Sequence, residues 1–231
     1  MLIDQRVDSG IHVDSGVYVP QHDSALLRDS MTRFFPPAGL RVADLCTGSG
    51  YLAVAAAKEG AAAVTALDVC TLAVECAQSN AQRVGADITV LQGDWLHAKE
   101  FGPFDLVLAN PPYVPGDRRV LPGDAVPASV GTTLAFHAGV SGRLVLDPLC
   151  THAHELVDPH GVLLLVQSEF ADVSQTLYAL AATGLTAEVI AEQYVPFGPV
   201  MSVRAPWLER MGRLDKGRRT ERLVVIAGRR S

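Results

Sequence analysis

Apolar residues fall into two kinds of run that take turns along most of the chain. Residues 41–46, 63–69, 88–91, 104–109, 161–167, 186–192 and 222–227 are short stretches rich in Val, Leu, Ile and Ala, bounded by Gly, Pro, Asn or Asp. Each predicts a buried strand. Residues 51–58, 72–84, 142–157 and 173–182 are longer or Ala-rich and predict helices. A further helix is expected from 25 to 34 or 35, capped by Asp23 or Ser24 and stopped by Pro36-Pro37. Ahead of it, short apolar alternations broken by Gly and Asp predict extended chain or a small hairpin.

Strands alternating with helices imply right-handed crossovers and a parallel sheet covered on both faces. The expected fold class is α/β: a mainly parallel seven-stranded sheet with helices on both faces and an antiparallel C-terminal strand. Residues 114–135 are rich in Pro and Gly and lack an apolar period. A loop of that length in a compact domain is more often functional than idle. The stretch before the last strand, 194–220, reads as an Arg-rich insertion, and 1–37 as an N-terminal extension of one domain covering 1–231.

Composition narrows the class. The chain has 231 residues, 48% apolar and 19% charged, enough for a sizeable core. No run approaches the length of a membrane span, and the N-terminus lacks the pattern of a signal peptide, so a cytoplasmic protein without membrane contact is expected. Cys46, Cys70, Cys76 and Cys150 form no Cys-x-x-Cys pair and read as reduced thiols. His152 and His154 lie two apart on an expected helix, so they face different ways, and no metal site is expected. The net charge of −6 disfavours broad nucleic-acid binding. Arginines nevertheless crowd the C-terminal stretch from Arg204 to Arg230; they read either as a solvated loop or as a basic arm contacting RNA or an acidic protein.

The strand ends carry the candidate chemistry. The first runs into Asp44-Leu45-Cys46-Thr47-Gly48-Ser49-Gly50 and then a helix. Glycines there let backbone approach a ligand, and the helix N-terminus offers free N–H groups. Asp68 ends the second strand, 20 residues after Gly48 and next to Val69, where a carboxylate can accept both hydroxyls of a ribose. A nicotinamide dinucleotide fits the glycine spacing too. Against it, Asp44 would repel a pyrophosphate but meet a cationic amino group well. Asp94 after the third strand can take an adenine amino group, and Trp95 can cover the ring. The fourth strand ends in Asn110-Pro111-Pro112-Tyr113, a stiff turn that offers a side-chain amide, a free carbonyl and an aromatic ring. These groups suit holding a planar –NH2 while its nitrogen attacks.

With these four elements on successive strand ends, the chain resembles the class I S-adenosylmethionine-dependent methyltransferases. Within them it resembles the HemK-type glutamine N5-methyltransferases of release factors. Gly16-Val17-Tyr18-Val19-Pro20 with Asp23-Ser24-x-x-Leu27 is similar to the segment leading into the cofactor pocket of the short branch. Ala138-Gly139-x-x-Gly142-Arg143 is similar to the family's Gly-rich stretch before the next helix. His22 stands where that branch carries an acid.

The resemblance implies a Rossmann-like methyltransferase domain, S-adenosylmethionine bound by Asp44, Cys46, Thr47, Gly48, Gly50, Asp68, Val69, Asp94, Trp95 and Asn110, and a substrate corner at Asn110, Pro111, Pro112 and Tyr113. It further implies a release-factor-like protein substrate. The layout leaves no room for the helical N-terminal domain of bacterial members. It is closer to the short eukaryotic and archaeal branch, whose catalytic domain works with a small zinc-binding activator. The same corner would serve an exocyclic amine of a nucleic-acid base or a small molecule, and a catalytically silent cofactor-binding subunit is a reading of another class. Structural roles compete at single positions. Asp44 can be a core-edge carboxylate, Asp68 and Asp23 helix caps, Asp94 a turn residue and Tyr18 a packed aromatic.

Overall fold

Seven strands hydrogen-bond into one sheet among the residues that the computed structural model describes, 10–117 and 131–230. They are β1 (Arg41–Leu45), β2 (Ala63–Asp68), β3 (Thr89–Gln92), β4 (Phe104–Ala109), β5 (Val157–Ser168), β6 (Leu185–Pro196) and β7 (Thr220–Arg230). Their order across the sheet is β3-β2-β1-β4-β5-β7-β6. The first five run parallel, and β7 is antiparallel to both β5 and β6. The α/β class and the antiparallel last strand are as expected from the sequence.

The helices are α1 (His22–Phe34), α2 (Tyr51–Lys58), α3 (Thr71–Val84), α4 (Trp95–Ala98), α5 (Thr133–Phe136), α6 (Leu146–Leu156), α7 (Val173–Ala182) and α8 (Pro199–Arg210). Strand β4 shows why the central runs are uninterrupted. Leu106 and Leu108 point to one face, with Leu27 and Met31 of α1 and Leu52 of α2. Val107 and Ala109 point to the other, with Leu149 and Leu156 of α6. A strand buried on both faces keeps an apolar residue at nearly every position.

Several boundaries differ from the sequence reading. Helix α1 begins at His22 after Gln21, without a side-chain cap, so Asp23 sits inside the first turn rather than capping it. Helix α6 is shorter than expected and β5 longer. Strands β6 and β7 reach twelve and eleven residues because they pair with each other along their length, around an irregularity between Val189 and Ala191. The chain between them is not an irregular insertion but contains α8, opened by Pro199 at a position where a missing N–H costs nothing. Residues 11–20 hold a turn and a single bridge at Tyr18 instead of a hairpin. Of the expected long loop, 118–130 lie outside the described residues, as do 1–9 of the extension.

The C-terminal arginines correct the picture of a free basic arm. Arg204 is 5% exposed and donates to the carbonyls of Val114 and Phe136. Arg213 donates to Val140 and Phe170. Arg218, Arg219, Arg222 and Arg229 pair with Glu169, Glu209, Glu192 and Glu188. Among the described residues no helix is long and apolar enough to cross a membrane.

Candidate active site

Strands β1 and β4 are neighbours, yet β2 and β3 lie on one side of them and β5 on the other. Where strand order reverses in this way, the loops at the carboxyl ends splay apart and leave a crevice. A cavity of about 350 Å³ lies there. Its wall takes in Cys46, Thr47, Gly48, Asp68, Val69, Asp94, Trp95 and the whole of Asn110-Pro111-Pro112-Tyr113. The sequence-nominated residues thus meet around one space, apart from Asp44 and Gly50, which stand behind the wall.

At the first end, the chain leaves β1 through Cys46-Thr47-Gly48-Ser49-Gly50. Gly50 has φ of +78°, and a Cβ on it would meet Ala77 Cα at 3.3 Å, so its position requires glycine. A Cβ on Gly48 would meet nothing within 4 Å. Asp68 fastens this loop. Its Oδ2 accepts the Gly48 N–H at 3.0 Å and its Oδ1 the Cys70 N–H at 2.9 Å. Burial pushes the Asp68 carboxyl above its ordinary value, opposed by these N–H groups.

Asp44 is placed differently from the expected direct contact. It is fully buried, and its Oδ2 accepts from Thr47 Oγ1 at 2.6 Å and from the Ala53 N–H at 3.0 Å. Its Oδ1 is buried without a partner. Burial pushes this carboxyl up to about 7. Asp94 caps α4, its Oδ1 accepting from the N–H groups of Leu96 and His97, while it also borders the cavity. Trp95 packs against the main core cluster, and Val69 is half exposed at the rim.

The second end is built around Asp23, which is 4% exposed. Asp23 Oδ2 accepts from the Asn110 side-chain amide at 3.2 Å and from the Tyr113 hydroxyl at 3.0 Å. The Tyr18 hydroxyl donates to both its oxygens, and the Ser24 N–H to Oδ1 at 2.6 Å. The Asn110 NH2 also donates to Ser24 Oγ at 3.2 Å. With its NH2 so held, Asn110 turns its Oδ1 away from Asp23. Burial and the Asp23 charge hold both tyrosine hydroxyls well above their ordinary values.

Two distant elements brace this corner. Gly142, with φ of +82°, lies so close that a Cβ would stand 2.4 Å from the Tyr113 carbonyl oxygen. Arg204 of α8 grips the Val114 carbonyl, its guanidinium 5.5 Å over the Phe136 ring.

Glu221, at the start of β7, was missed because the expected strand begins one residue later. It borders the cavity, and its Oε2 is buried without a partner. The signal available was the period of two, which puts Glu221 on the same face as Leu223, another wall residue. Asn80 of α3 was missed as well. Buried, it bonds the His12 backbone at N and O and the Ser49 carbonyl, tying the N-terminal segment to the glycine loop.

Four carboxylates border the cavity (Asp23, Asp68, Asp94 and Glu221), with no lysine or arginine among the described wall residues. A pyrophosphate would find no counter-charge there, while a sulfonium cation would. Together with the open space at Gly48, this donor and charge set fits an adenosyl sulfonium rather than a dinucleotide. Among the described residues no cluster of His, Cys, Asp or Glu is arranged to hold a metal ion.

Comparison with known proteins adds to this geometry. The family described as methyltransferase small domain matches residues 10–121. A Methanocaldococcus jannaschii protein, provisionally named a protein N5-glutamine methyltransferase, is 29% identical over 191 residues, 82% of this chain and 91% of that one. The release factor glutamine methyltransferase of Mycobacterium tuberculosis is 30% identical over 207 residues, 85% of this chain and 66% of its own length. The chain spans between 36% and 66% of the length of seven bacterial release factor methyltransferases that it matches. Among solved structures, a two-protein complex from E. cuniculi, responsible for methylation of the translation termination factor eRF1, is similar with a TM-score of 0.59. It is 20% identical, covering 94% of this chain and 99% of that one.

Proposed function

We propose, from the match of residues 10–121 to the methyltransferase small domain family and the similarity to glutamine methyltransferases, that this chain methylates the side-chain amide nitrogen of a glutamine in a release-factor-like protein. The observation that carries this reading is the tethered Asn110 amide. Asp23 and Ser24 hold its NH2, which commits its Oδ1 as an acceptor beside the Pro111 carbonyl.

S-adenosylmethionine, when bound, supplies a methyl group on a positively charged sulfur. Asp68 would accept the ribose hydroxyls, Asp94 and Trp95 would flank the adenine, and the bare backbone at Gly48 would allow close approach. Asp44 would act from behind by keeping Thr47 and Ala53 in register.

The acceptor amide is a poor nucleophile because its lone pair is delocalised into its carbonyl. Asn110 Oδ1 and the Pro111 carbonyl would accept its two N–H groups, orienting the nitrogen and favouring a pyramidal form. The proline pair keeps these acceptors still. Tyr113 would pack on the planar group and exclude water. Orientation of this kind contributes up to about 7–11 kcal/mol to lowering a barrier.

A small activator subunit is part of the proposal, by analogy with the two-protein complex. RNA contact is not, since Arg204 is buried within the fold and Arg218, Arg219 and Arg222 pair with glutamates. Four free cysteines accord with a reducing cytoplasm.

The test is incubation with labelled S-adenosylmethionine and a cell extract split into protein, RNA, DNA and small-molecule fractions. Label is expected in protein, on glutamine, and lost with Asn110→Ala while cofactor binding persists. Label confined to nucleic acid would establish the exocyclic-amine reading instead.

A further inference from the structure

We propose that Glu221 makes this pocket choose a glutamine side chain over the isosteric glutamate, its buried and incompletely paired carboxylate repelling the carboxylate of the latter. The inference rests on the glutamine reading above and deepens it.

Glu221, on β7 two strands over from β4, borders the same cavity as Asn110 and Tyr113. It is 5% exposed, and one of its two oxygens has no partner. A carboxylate buried in a wall with one oxygen unpaired is costly, and a second carboxylate brought beside it would be costlier still. Asp23 cannot fill this role, because its oxygens already take Tyr18, Tyr113, Asn110 and Ser24. Glu221 is therefore the carboxylate on this side of the cavity with acceptor capacity left.

The groups facing Glu221 come from every neighbouring element. Asp23 of α1 and Glu169 of the turn after β5 bring negative charge; Arg218, before β7, brings positive charge but is paired to Glu169. The Ser168 hydroxyl bonds to it from β5, and Tyr18 and Tyr113 stand near enough to feel its charge. No wall cation among the described residues would welcome an acceptor carboxylate. Glutamine and glutamate have nearly the same shape, so hydrogen-bond sense and charge must separate them. Asn110 Oδ1 and the Pro111 carbonyl read the first, and a wall with four carboxylates and no lysine or arginine among its described residues reads the second. Burial pushes the Glu221 carboxyl up to about 7. Selection should therefore sharpen as pH rises through that value, where the repelling charge develops.

The test titrates N-acetyl-glutamine methylamide and its glutamate counterpart into the full chain with S-adenosylhomocysteine present, from pH 6 to 8, by NMR. Wild type should prefer the amide by about tenfold or more at pH 8, and by less at pH 6. Glu221→Gln should bring the two probes within about threefold of each other and flatten the pH dependence, with S-adenosylhomocysteine affinity and melting temperature near wild type showing that the fold is intact. An unchanged, pH-dependent preference in Glu221→Gln would overturn the inference. So would a wild type that takes both probes alike, yet methyl transfer to release factor glutamine by the same preparation would leave the parent reading standing. Absence of glutamine methylation in any protein would sink both.

Discussion

Tyr113 donates its hydroxyl to Asp23 Oδ2 at 3.0 Å, joining the rigid corner after β4 to the first turn of a helix 90 positions earlier. The same oxygen takes the Asn110 amide and the Tyr18 hydroxyl. One buried carboxylate thus decides which way the Asn110 amide points.

Asp23→Ala should uncouple this corner. Two buried hydroxyls and an amide lose their acceptor, at a stability cost of about 1–3 kcal/mol. Turnover should fall at least about tenfold, while S-adenosylhomocysteine affinity changes little. Calorimetric melting and single-turnover rates check the two parts separately.

Asp44 should make stability depend on pH. Its folded-state value near 7 lies above that of an exposed aspartate, so the folded protein holds an extra proton between about pH 4 and 7. Stability contributed this way is present below that window and lost as pH rises through it. Asp44→Asn keeps an acceptor for Thr47 and Ala53 without the buried charge. Its stability relative to wild type should improve across the window by at most about 1.4 kcal/mol per pH unit. Urea unfolding at pH 5 and pH 8 measures this, and a pH-independent difference would refute it.

Asp68→Ala should weaken cofactor binding by about tenfold or more, since the carboxylate proposed to hold the ribose and the tether to Gly48 disappear together. In wild type the raised Asp68 value predicts that affinity declines on acidification, as the carboxylate gains a proton. Titration of S-adenosylhomocysteine across acidic pH reads both effects.

Gly142→Ala would set a Cβ against the Tyr113 carbonyl and force an unfavourable φ. A loss of about 1–3 kcal/mol is expected, with the acceptor KM rising more than the cofactor Kd because the displaced atoms belong to the corner proposed to hold the acceptor. Equal effects on both constants would point to general unfolding.

Arg204→Met should leave two carbonyls, at Val114 and Phe136, without their donor, costing about 1–3 kcal/mol for each that stays buried. The double variant Arg219→Gln, Arg222→Gln removes only pairs with Glu209 and Glu192 near the surface. Its turnover should stay within about twofold of wild type, since such pairs contribute little. A large loss would revive the basic arm as a partner-binding surface.

Much of this protein was written locally. The alternation of short apolar runs with helical stretches, the glycine loop after β1, Asp68 at the end of β2 and the Asn-Pro-Pro-Tyr corner were all legible, because period and turn chemistry act over a few neighbouring residues. The parallel run of the first strands followed from the crossovers that alternating strands and helices imply, whereas their order across the sheet came only from the structure. The lengths of β6 and β7 were not legible, since each strand is extended by its partner rather than by its own alternation.

The remaining decisions belong to contacts between distant positions. No local pattern tells that Asp23 serves Asn110 and Tyr113 instead of capping its helix, that Asp44 turns behind the loop, or that Glu221 faces the cavity. Nor does a count of arginines show that Arg204 is buried as a brace while its neighbours pair with glutamates. A charged or polar side chain has several satisfactory partners in principle. Only packing of the whole chain, which removes water and leaves one geometry, selects among them.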